Sequence, residues 1–178
     1  TAVTNTGIGY KALFTNTAAV ENTAIGWSAL TANTTGARNT AIGLVALYSN
    51  TATSGNVAMG DSALYSQSYT VAVSSENVAI GNSALFLNNP TLTTNGRLNT
   101  AVGNRALRNN TKGMWNTANG YSALYYNTTA SGNIAIGNYA LYTQSYDAGA
   151  AWGSYNVAVG YQALYFNQPT STANGIQN

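Results

Sequence analysis

The nine residues NTAIGWSAL, at positions 22–30, recur with small changes along the whole chain. Anchored on its first residue, the unit reads N-[TVI]-[AG]-[IVMN]-G-x-x-A-L and occurs nine times in 178 residues. The spacings between successive anchors are 17, 17, 17, 21, 22, 17, 17 and 23 residues. Self-similarity at this period indicates stacked structural repeats, each too small to bury its own apolar face. The anchors are Asn5, Asn22, Asn39, Asn56, Asn77, Asn99, Asn116, Asn133 and Asn156.

A second, longer period lies above the first. The spacings from Asn22 and from Asn99 follow the same order, and the insertions match as well: ALYSQSY (63–69) corresponds to ALYTQSY (140–146). We therefore predict a single solenoid array over 1–178 in which residues 22–98 and 99–177 are two four-coil super-repeats. Because Asn178 falls where another coil would open, we expect the chain to be part of a longer fibre.

Each coil carries one clear strand signal. NTAIG alternates as a strand requires, its β-branched residues favour that state, and the glycine ends it. The A-L pair with the next residue forms either a second short strand, which we favour, or one helical turn. The Asn, Thr, Gly and Ser residues that follow are typical of turns. The prediction is an all-β fold, a parallel β-solenoid built as a flat β-roll of 17–23 residues per coil, with a three-sided β-helix as the alternative.

Stacking places equivalent positions of all coils above one another. Counting from the anchor, we expect ladders of amide side chains at the anchor and at +11, and stacked aromatic rings at +9. Ile25 at +3 and Leu30 at +8 are predicted to lie in the core. The small residues Ala24 and Ala29, at +2 and +7, indicate the close approach of another surface.

The composition argues against catalysis. The chain has no cysteine and no histidine, and its four carboxylates are spread over four coils at Glu21, Asp61, Glu76 and Asp147. An enzyme needs paired acid and base groups or an activated nucleophile. We predict no enzymatic activity, no metal and no cofactor. With six basic residues and no long apolar run, neither a nucleic-acid partner nor membrane insertion of this segment is expected.

Aromatic residues in the long insertions are the candidate ligand-binding residues. An exposed ring on a rigid scaffold can stack on the face of a sugar, and function concentrates in such loops. The same rings could instead pack on the solenoid or on a neighbouring chain. The candidates for glycan contact are Tyr69, Tyr146, Trp152 and Tyr155.

The motif resembles a known family. NVAIG, NTAIG and NIAIG, each followed by x-x-A, are similar to the head repeats of trimeric autotransporter adhesins, and similar arrays occur in phage tail-fibre and bacterial surface-fibre proteins. The resemblance implies a left-handed parallel β-roll, three chains side by side as a homotrimer, exposed on a bacterial surface or a virion and used for attachment. This chain departs from the pattern in its longer coil, its constant A-L pair and its aromatic column.

Three functions follow from these observations. The first is a structural and attachment segment of an extracellular fibre that contacts a carbohydrate or protein receptor on a host surface. The second is a monomeric solenoid that binds glycan or ice. The third is a bare spacer with no ligand in this segment.

Overall fold

The structure is a computed structural model that describes residues 4–69 and 71–178. Within these residues it is all-β, with thirteen short strands and no helix. It forms a parallel β-solenoid of about eight turns, as the spacing predicts. The strands are β1 Thr6–Ile8, β2 Thr23–Ile25, β3 Thr40–Ile42, β4 Thr53–Ser54, β5 Val57–Met59, β6 Val73–Ser74, β7 Val78–Ile80, β8 Thr100–Val102, β9 Thr117–Asn119, β10 Ala130–Ser131, β11 Ile134–Ile136, β12 Trp152–Gly153 and β13 Val157–Val159.

One nine-stranded parallel sheet runs along the molecule in the order β1-β2-β3-β5-β7-β8-β9-β11-β13. Every strand pairs with the next at the same repeat position, as in Thr23 opposite Thr40 and Ile134 opposite Val157. Insertions of four to six residues leave this register unchanged, because they lie outside the strand. With neighbouring strands about 4.8 Å apart, the sheet is about 38 Å long.

The core is one thin layer of alanine and leucine. Ala24, Ala29 and Leu30 are fully buried, and the same positions of the following coils repeat the pattern. Ile25 is only half-buried, so its prediction as a core residue is wrong. In a three-residue strand whose central alanine points inward, both flanking residues must point outward. The alanines line the narrow interior itself, where no larger side chain fits between the strand and the opposite wall.

The segment that contains the A-L pair is neither a strand nor a helix. Ser28 and Leu30 have φ values of 55° and 52°, in the left-handed region, and the equivalent leucines share this conformation. Successive side chains of a strand point to opposite faces. Ala29 and Leu30 are instead adjacent members of one buried cluster, and the left-handed φ of Leu30 is not that of a strand. The segment still bonds from coil to coil, because the Leu30 N–H donates to the Ala46 carbonyl at 2.9 Å.

The anchor asparagines form the predicted ladder. The backbone N–H of each anchor donates to the Oδ1 of the preceding anchor at 2.9–3.1 Å, from Asn5 to Asn178. The side-chain nitrogen bonds within the same coil. Asn22 Nδ2, for example, donates to the Gly36 carbonyl at 2.9 Å. The ladder therefore satisfies buried polar groups and fixes the height of each coil on the next.

The +11 amide ladder is confirmed as well, with two interruptions. Asn50 Nδ2 donates to Asn33 Oδ1 at 3.0 Å and Asn127 Nδ2 to Asn110 Oδ1 at 2.9 Å. At Gln67 the longer side chain turns to the anchor ladder instead, donating to Asn56 Oδ1 at 3.0 Å. Gln144 stands at the corresponding place in the second super-repeat.

The two long insertions fold alike. After the fourth coil, β6 pairs with β4, and after the eighth coil, β12 pairs with β10, each as a separate two-stranded parallel sheet. These short sheets lie immediately before the anchors Asn56, Asn77, Asn133 and Asn156 in sequence. They bring the insertions alongside the asparagine ladder, where the candidate site lies.

Candidate functional site

The residues immediately before the anchors form a column beside the ladder, which we call the pre-anchor column. Their φ values lie between 50° and 76°, so the left-handed conformation belongs to the coil and recurs whatever the side chain. Apart from glycine, the side chains are exposed. The column consists of Thr4, Glu21, Arg38, Gly55, Glu76, Leu98, Trp115, Gly132, Tyr155 and Gln177.

The two super-repeats differ sharply in this column. The first carries arginine, glycine, glutamate and leucine; the second carries tryptophan, glycine, tyrosine and glutamine in the same order. The backbone at Arg38 and at Trp115 is the same, with φ of 57° in both. The coil therefore accepts either set, and the apolar and aromatic residues are not needed to build it.

The ring of Tyr155 lies across two glycines. A Cβ atom at Gly132 would come within 2.4 Å of the ring's Cδ1, and one at Gly153 within 2.4 Å of its Cε2. Only residues without side chains allow the ring to approach the backbone so closely. Tyr155 nevertheless remains 54% exposed. The ring thus lies directly against the backbone of two glycines, and much of its remaining surface is exposed to solvent.

Two linked depressions flank Trp115, and together we call them the aromatic groove. One has a volume of about 240 Å³ and the other of about 390 Å³. Both are lined by Met114 and Trp115, which separate them. The smaller is completed by Ser131, Ala151, Trp152, Gly153 and Tyr155. The larger is completed by Thr94, Arg97 and Leu98.

Two hydrogen-bond donors of the groove have no partner. They are Arg97 Nε in the larger depression and the indole Nε1 of Trp152 in the smaller. Another Arg97 nitrogen, Nη1, makes only a long contact of 3.4 Å to the Thr93 carbonyl. By contrast, Ser131 Oγ already accepts the Met114 N–H at 3.1 Å. Arg97 Nε and Trp152 Nε1 are themselves buried, so the groove presents apolar walls and the remainder of the Arg97 guanidinium.

Three of the four residues predicted as glycan contacts are brought together. Trp152 and Tyr155 line the smaller depression, and Tyr146 packs edge-on against Trp152 with ring centroids 5.9 Å apart. Tyr69 is not with them. It is buried, its hydroxyl donates to the Asn95 carbonyl, and burial raises the pKa of that hydroxyl. Packing, the alternative left open by the sequence, describes Tyr69.

Sequence reasoning missed Leu98, Met114, Trp115 and Arg97 as parts of one site. They belong to coils five and six and lie in segments that read as turns. The signal that could have found them is the column itself. Aligning the two super-repeats shows that Trp115 and Tyr155 stand where the first copy has the charged residues Arg38 and Glu76.

A second aromatic surface, the predicted +9 column, has its rings already paired. Tyr48, Tyr65 and Phe86 stack with centroids 5.1–5.2 Å apart, and Tyr142 stacks on Tyr165 at 4.9 Å. Burial, followed by the neighbouring Tyr126, raises the pKa of Tyr142 to about 12. The guanidinium of Arg108 closes the first stack, 4.9 Å from the ring centre of Phe86. The faces of these rings contact one another, and these contacts stabilise the stack.

The remaining surface offers no metal centre or membrane span in the parts of the chain that the structure describes. Over residues 4–69 and 71–178, no three His, Cys, Asp or Glu side chains converge as metal ligands would. The same residues contain no helix with the length and apolarity needed to cross a membrane. Comparison with protein families, with curated proteins and with solved structures found no match to the chain.

Proposed function

We propose that this chain is a structural and attachment segment of an extracellular fibre on a bacterial surface or a phage virion. The observation that carries the proposal is the continuous stacking, in which strand register and asparagine ladder keep the same positions from coil to coil. Such a stack extends along one axis, and its product is a rod. The likeness of the NTAIG and NVAIG units to adhesin and tail-fibre repeats supports the same role.

The outer face of the nine-stranded sheet is the surface that we propose for assembly into a homotrimer. Its strands turn two residues outward, mostly Thr, Val and Ile, and Ile80 and Ile136 are about 40% exposed. The resulting strip is straight, about 38 Å long and about 7 Å between its two rows. A partner must match that length and repeat, and further copies of the same chain do so in register.

The cross-section of the coil supports the flat, left-handed roll implied by the family resemblance. The strand contributes Ala24 to the interior, and the turn segment contributes Ala29 and Leu30. Two walls facing each other across one layer of small side chains are what a two-sided roll requires, whereas a three-sided helix would need a wider interior.

Light scattering with chemical crosslinking tests the homotrimer. The chain should elute at three times its mass of 18.4 kDa. Ile42→Lys with Ile80→Lys places charges on the outer strip without touching the core, and we expect this variant to be a folded monomer. Thr35→Lys, at an exposed turn, is the matched control and should remain trimeric. A wild-type chain that stays monomeric at micromolar concentration would contradict the trimer.

Adhesion assays separate attachment from the bare-spacer alternative. The labelled chain is applied to immobilised glycans and to intact bacterial and animal cells, with retention as the readout. Retention on at least one of these surfaces is the expected result. A trimer that is retained on none would contradict the attachment role and leave the chain as a spacer.

A further inference from the structure

The aromatic residues of the groove are exposed although the fold does not require them. Arg38 and Glu76 occupy the positions of Trp115 and Tyr155 on the same backbone, with matching φ values. Exposing large rings costs solubility, and a cluster of them on a monomer's surface indicates an interaction site. Since coil formation does not explain these rings, recognition of another molecule does.

The Tyr155 ring is preorganised for stacking. Its position over Gly132 and Gly153 restricts ring motion before any ligand arrives, so little freedom is lost on binding. In the first super-repeat Gly55 is retained, but Ser74 takes the place of Gly153 and the flexible Glu76 side chain lies over the glycine instead. Only the second copy has both the tyrosine ring and the two glycines against which it lies.

The shape of the groove suits a chain of small rings better than one compact ligand. Two depressions of about 240 and 390 Å³ meet at Trp115, so that consecutive units of an oligomer could lie in each. Rings with apolar faces and polar edges fit walls of Tyr155 and Trp115 beside the Arg97 guanidinium. Pyranose sugars have that construction, since their C–H groups form the faces and their hydroxyls the edges.

Charge indicates which sugars these are. Residues 97–178 carry four basic residues, Arg97, Arg105, Arg108 and Lys112, against a single acidic one, Asp147. Residues 1–96 carry two basic residues against three acidic ones. Arg97 lines the groove itself, and its Nη1 makes only a long contact of 3.4 Å to the Thr93 carbonyl. A guanidinium in apolar surroundings favours a carboxylate as its partner.

We propose that the aromatic groove binds a carboxylate-bearing glycan, with pyranose rings stacked on Tyr155 and Trp115 and the acid group paired with Arg97. This inference rests on the proposed attachment function and gives it a place and a ligand class. Trp152 lines the smaller depression beside Tyr155, with its indole Nε1 buried. Tyr146 touches Trp152 rather than the groove and acts as a positioning residue.

A glycan array tests the groove. The labelled chain is applied to galacturonate oligomers and sialyllactose, with galactose oligomers and lactose as their neutral counterparts. We expect retention of the carboxylated sugars. The variant Trp115→Arg with Tyr155→Glu installs residues that the first super-repeat carries at the same positions, so it should fold normally. Its retention should fall by more than about tenfold, with the decrease specific to glycans.

A separate substitution tests the charge. Arg97→Gln removes the cation while leaving both rings in place, and it should reduce the preference for carboxylated over neutral sugars. Arg105→Gln, a basic residue on the other side of the coil, is the control and should behave as wild type. Equal loss in both variants would show that overall charge, and not the groove, selects the ligand, and would overturn the proposal.

Grafting provides the converse experiment. Arg38→Trp, Val73→Trp, Ser74→Gly and Glu76→Tyr rebuild both rings, the second glycine and the neighbouring tryptophan beside the first super-repeat. Val20→Arg and Glu21→Leu supply the counterparts of Arg97 and Leu98, and together the six changes should add a second binding site per chain. A chain that adheres to cells but is indifferent to Trp115→Arg with Tyr155→Glu would retain the attachment function and overturn the groove. A chain that adheres to nothing would contradict attachment itself.

Discussion

The super-repeats 22–98 and 99–177 share anchors, strand register and buried Ala-Leu layer, and they differ mainly on the outside. In the first, the pre-anchor column carries Arg38 and Glu76; in the second, Trp115 and Tyr155 stand at the same places. The comparison shows which residues the coil needs and which it merely tolerates. Residues common to both copies build the rod, and residues that change between copies on an unchanged backbone are free to serve recognition.

The largest effect is expected in the part that the copies share. Leu64→Ala and Leu141→Ala each empty a fully buried position at the same place in the two super-repeats. Each should lower the free energy of unfolding by about 2–5 kcal/mol, through lost burial and the cavity left behind. Denaturant unfolding measures both. Effects that differ widely between the two would break the claim of a common core.

A buried hydroxyl distinguishes the copies inside the rod. In the first, the Thr53 hydroxyl donates to Asn50 Oδ1 and accepts from Gln67 Nε2 at 3.1 Å. Asn56 Nδ2 also donates to the Thr53 hydroxyl at 3.1 Å. Ala130 occupies the equivalent position in the second copy. The atoms that lack a partner in the second copy are Asn127 Oδ1 and Gln144 Nε2, which correspond to Asn50 Oδ1 and Gln67 Nε2.

Exchanging these two residues should therefore have opposite effects. Thr53→Ala leaves buried polar atoms unpaired and should lower the free energy of unfolding by about 1–3 kcal/mol. Ala130→Thr supplies a hydroxyl between two unpartnered atoms and should raise it by about 0.5–1.5 kcal/mol. Shifts of the denaturation midpoint at constant slope measure both changes. Destabilisation by Ala130→Thr would contradict the equivalence of the two sites.

A smaller difference in stability between the two super-repeats is expected at high pH. The second super-repeat adds Tyr126 and Tyr139 beside its +9 column, where the first has serines at positions 49 and 62. The pKa of Tyr142 is raised from its ordinary 10.0 to about 12, so the folded chain holds this proton more tightly than the unfolded one. Stability from this group is present below pH 10 and is lost as the pH rises from about 10 to 12.

Thermal unfolding across this range, followed in the wild type and in Tyr142→Phe, isolates that contribution. The phenylalanine variant should lose less stability between the two pH values, because it has no hydroxyl to ionise. Parallel curves for the two proteins would show that Tyr142 does not contribute.

The smallest effect is expected where the copies differ most in chemistry. Trp115→Arg replaces an exposed side chain by the one that the first super-repeat carries on the same backbone. The free energy of unfolding should change by less than about 0.5 kcal/mol. Arg38→Trp is its converse and should be equally mild. A large destabilisation by Trp115→Arg would show that the aromatic column serves the fold, and so would weaken its assignment to recognition.

The sequence reveals much of this fold because the repeat removes ambiguity. Spacing predicts the strand register, both amide ladders and the stacked +9 rings, since every coil must place the same residue at the same height. It misplaces Ile25 because a three-residue strand with its alanine inside reverses the usual preference for large side chains in a core. The turn-like A-L segment was not readable, because the sequence does not show whether two adjacent apolar residues face the same side, and β10 itself holds two adjacent buried residues.

The site was only half predictable. Trp152 and Tyr155 stand out as aromatic residues in a long insertion, but ALYSQSY and ALYTQSY give no sign that Tyr69 is buried and that Tyr146 packs on Trp152. The burial and packing of each tyrosine depend on which segments cover its insertion. The Tyr69 hydroxyl, for example, donates a hydrogen bond to the Asn95 carbonyl. Trp115 becomes visible only when the two copies are aligned and its neighbours across the coils are known.

Nuclear magnetic resonance of the three indole N–H groups offers the most direct test of the division between rod and groove. Trp27 lies in the first super-repeat and Trp115 in the second, and they are almost equally exposed, at 53% and 57%. Titration with a carboxylated galacturonate oligomer should shift the signals of Trp115 and Trp152 in a saturable manner and leave that of Trp27 in place. Equal shifts of Trp27 and Trp115, or no shift of either, would contradict the account.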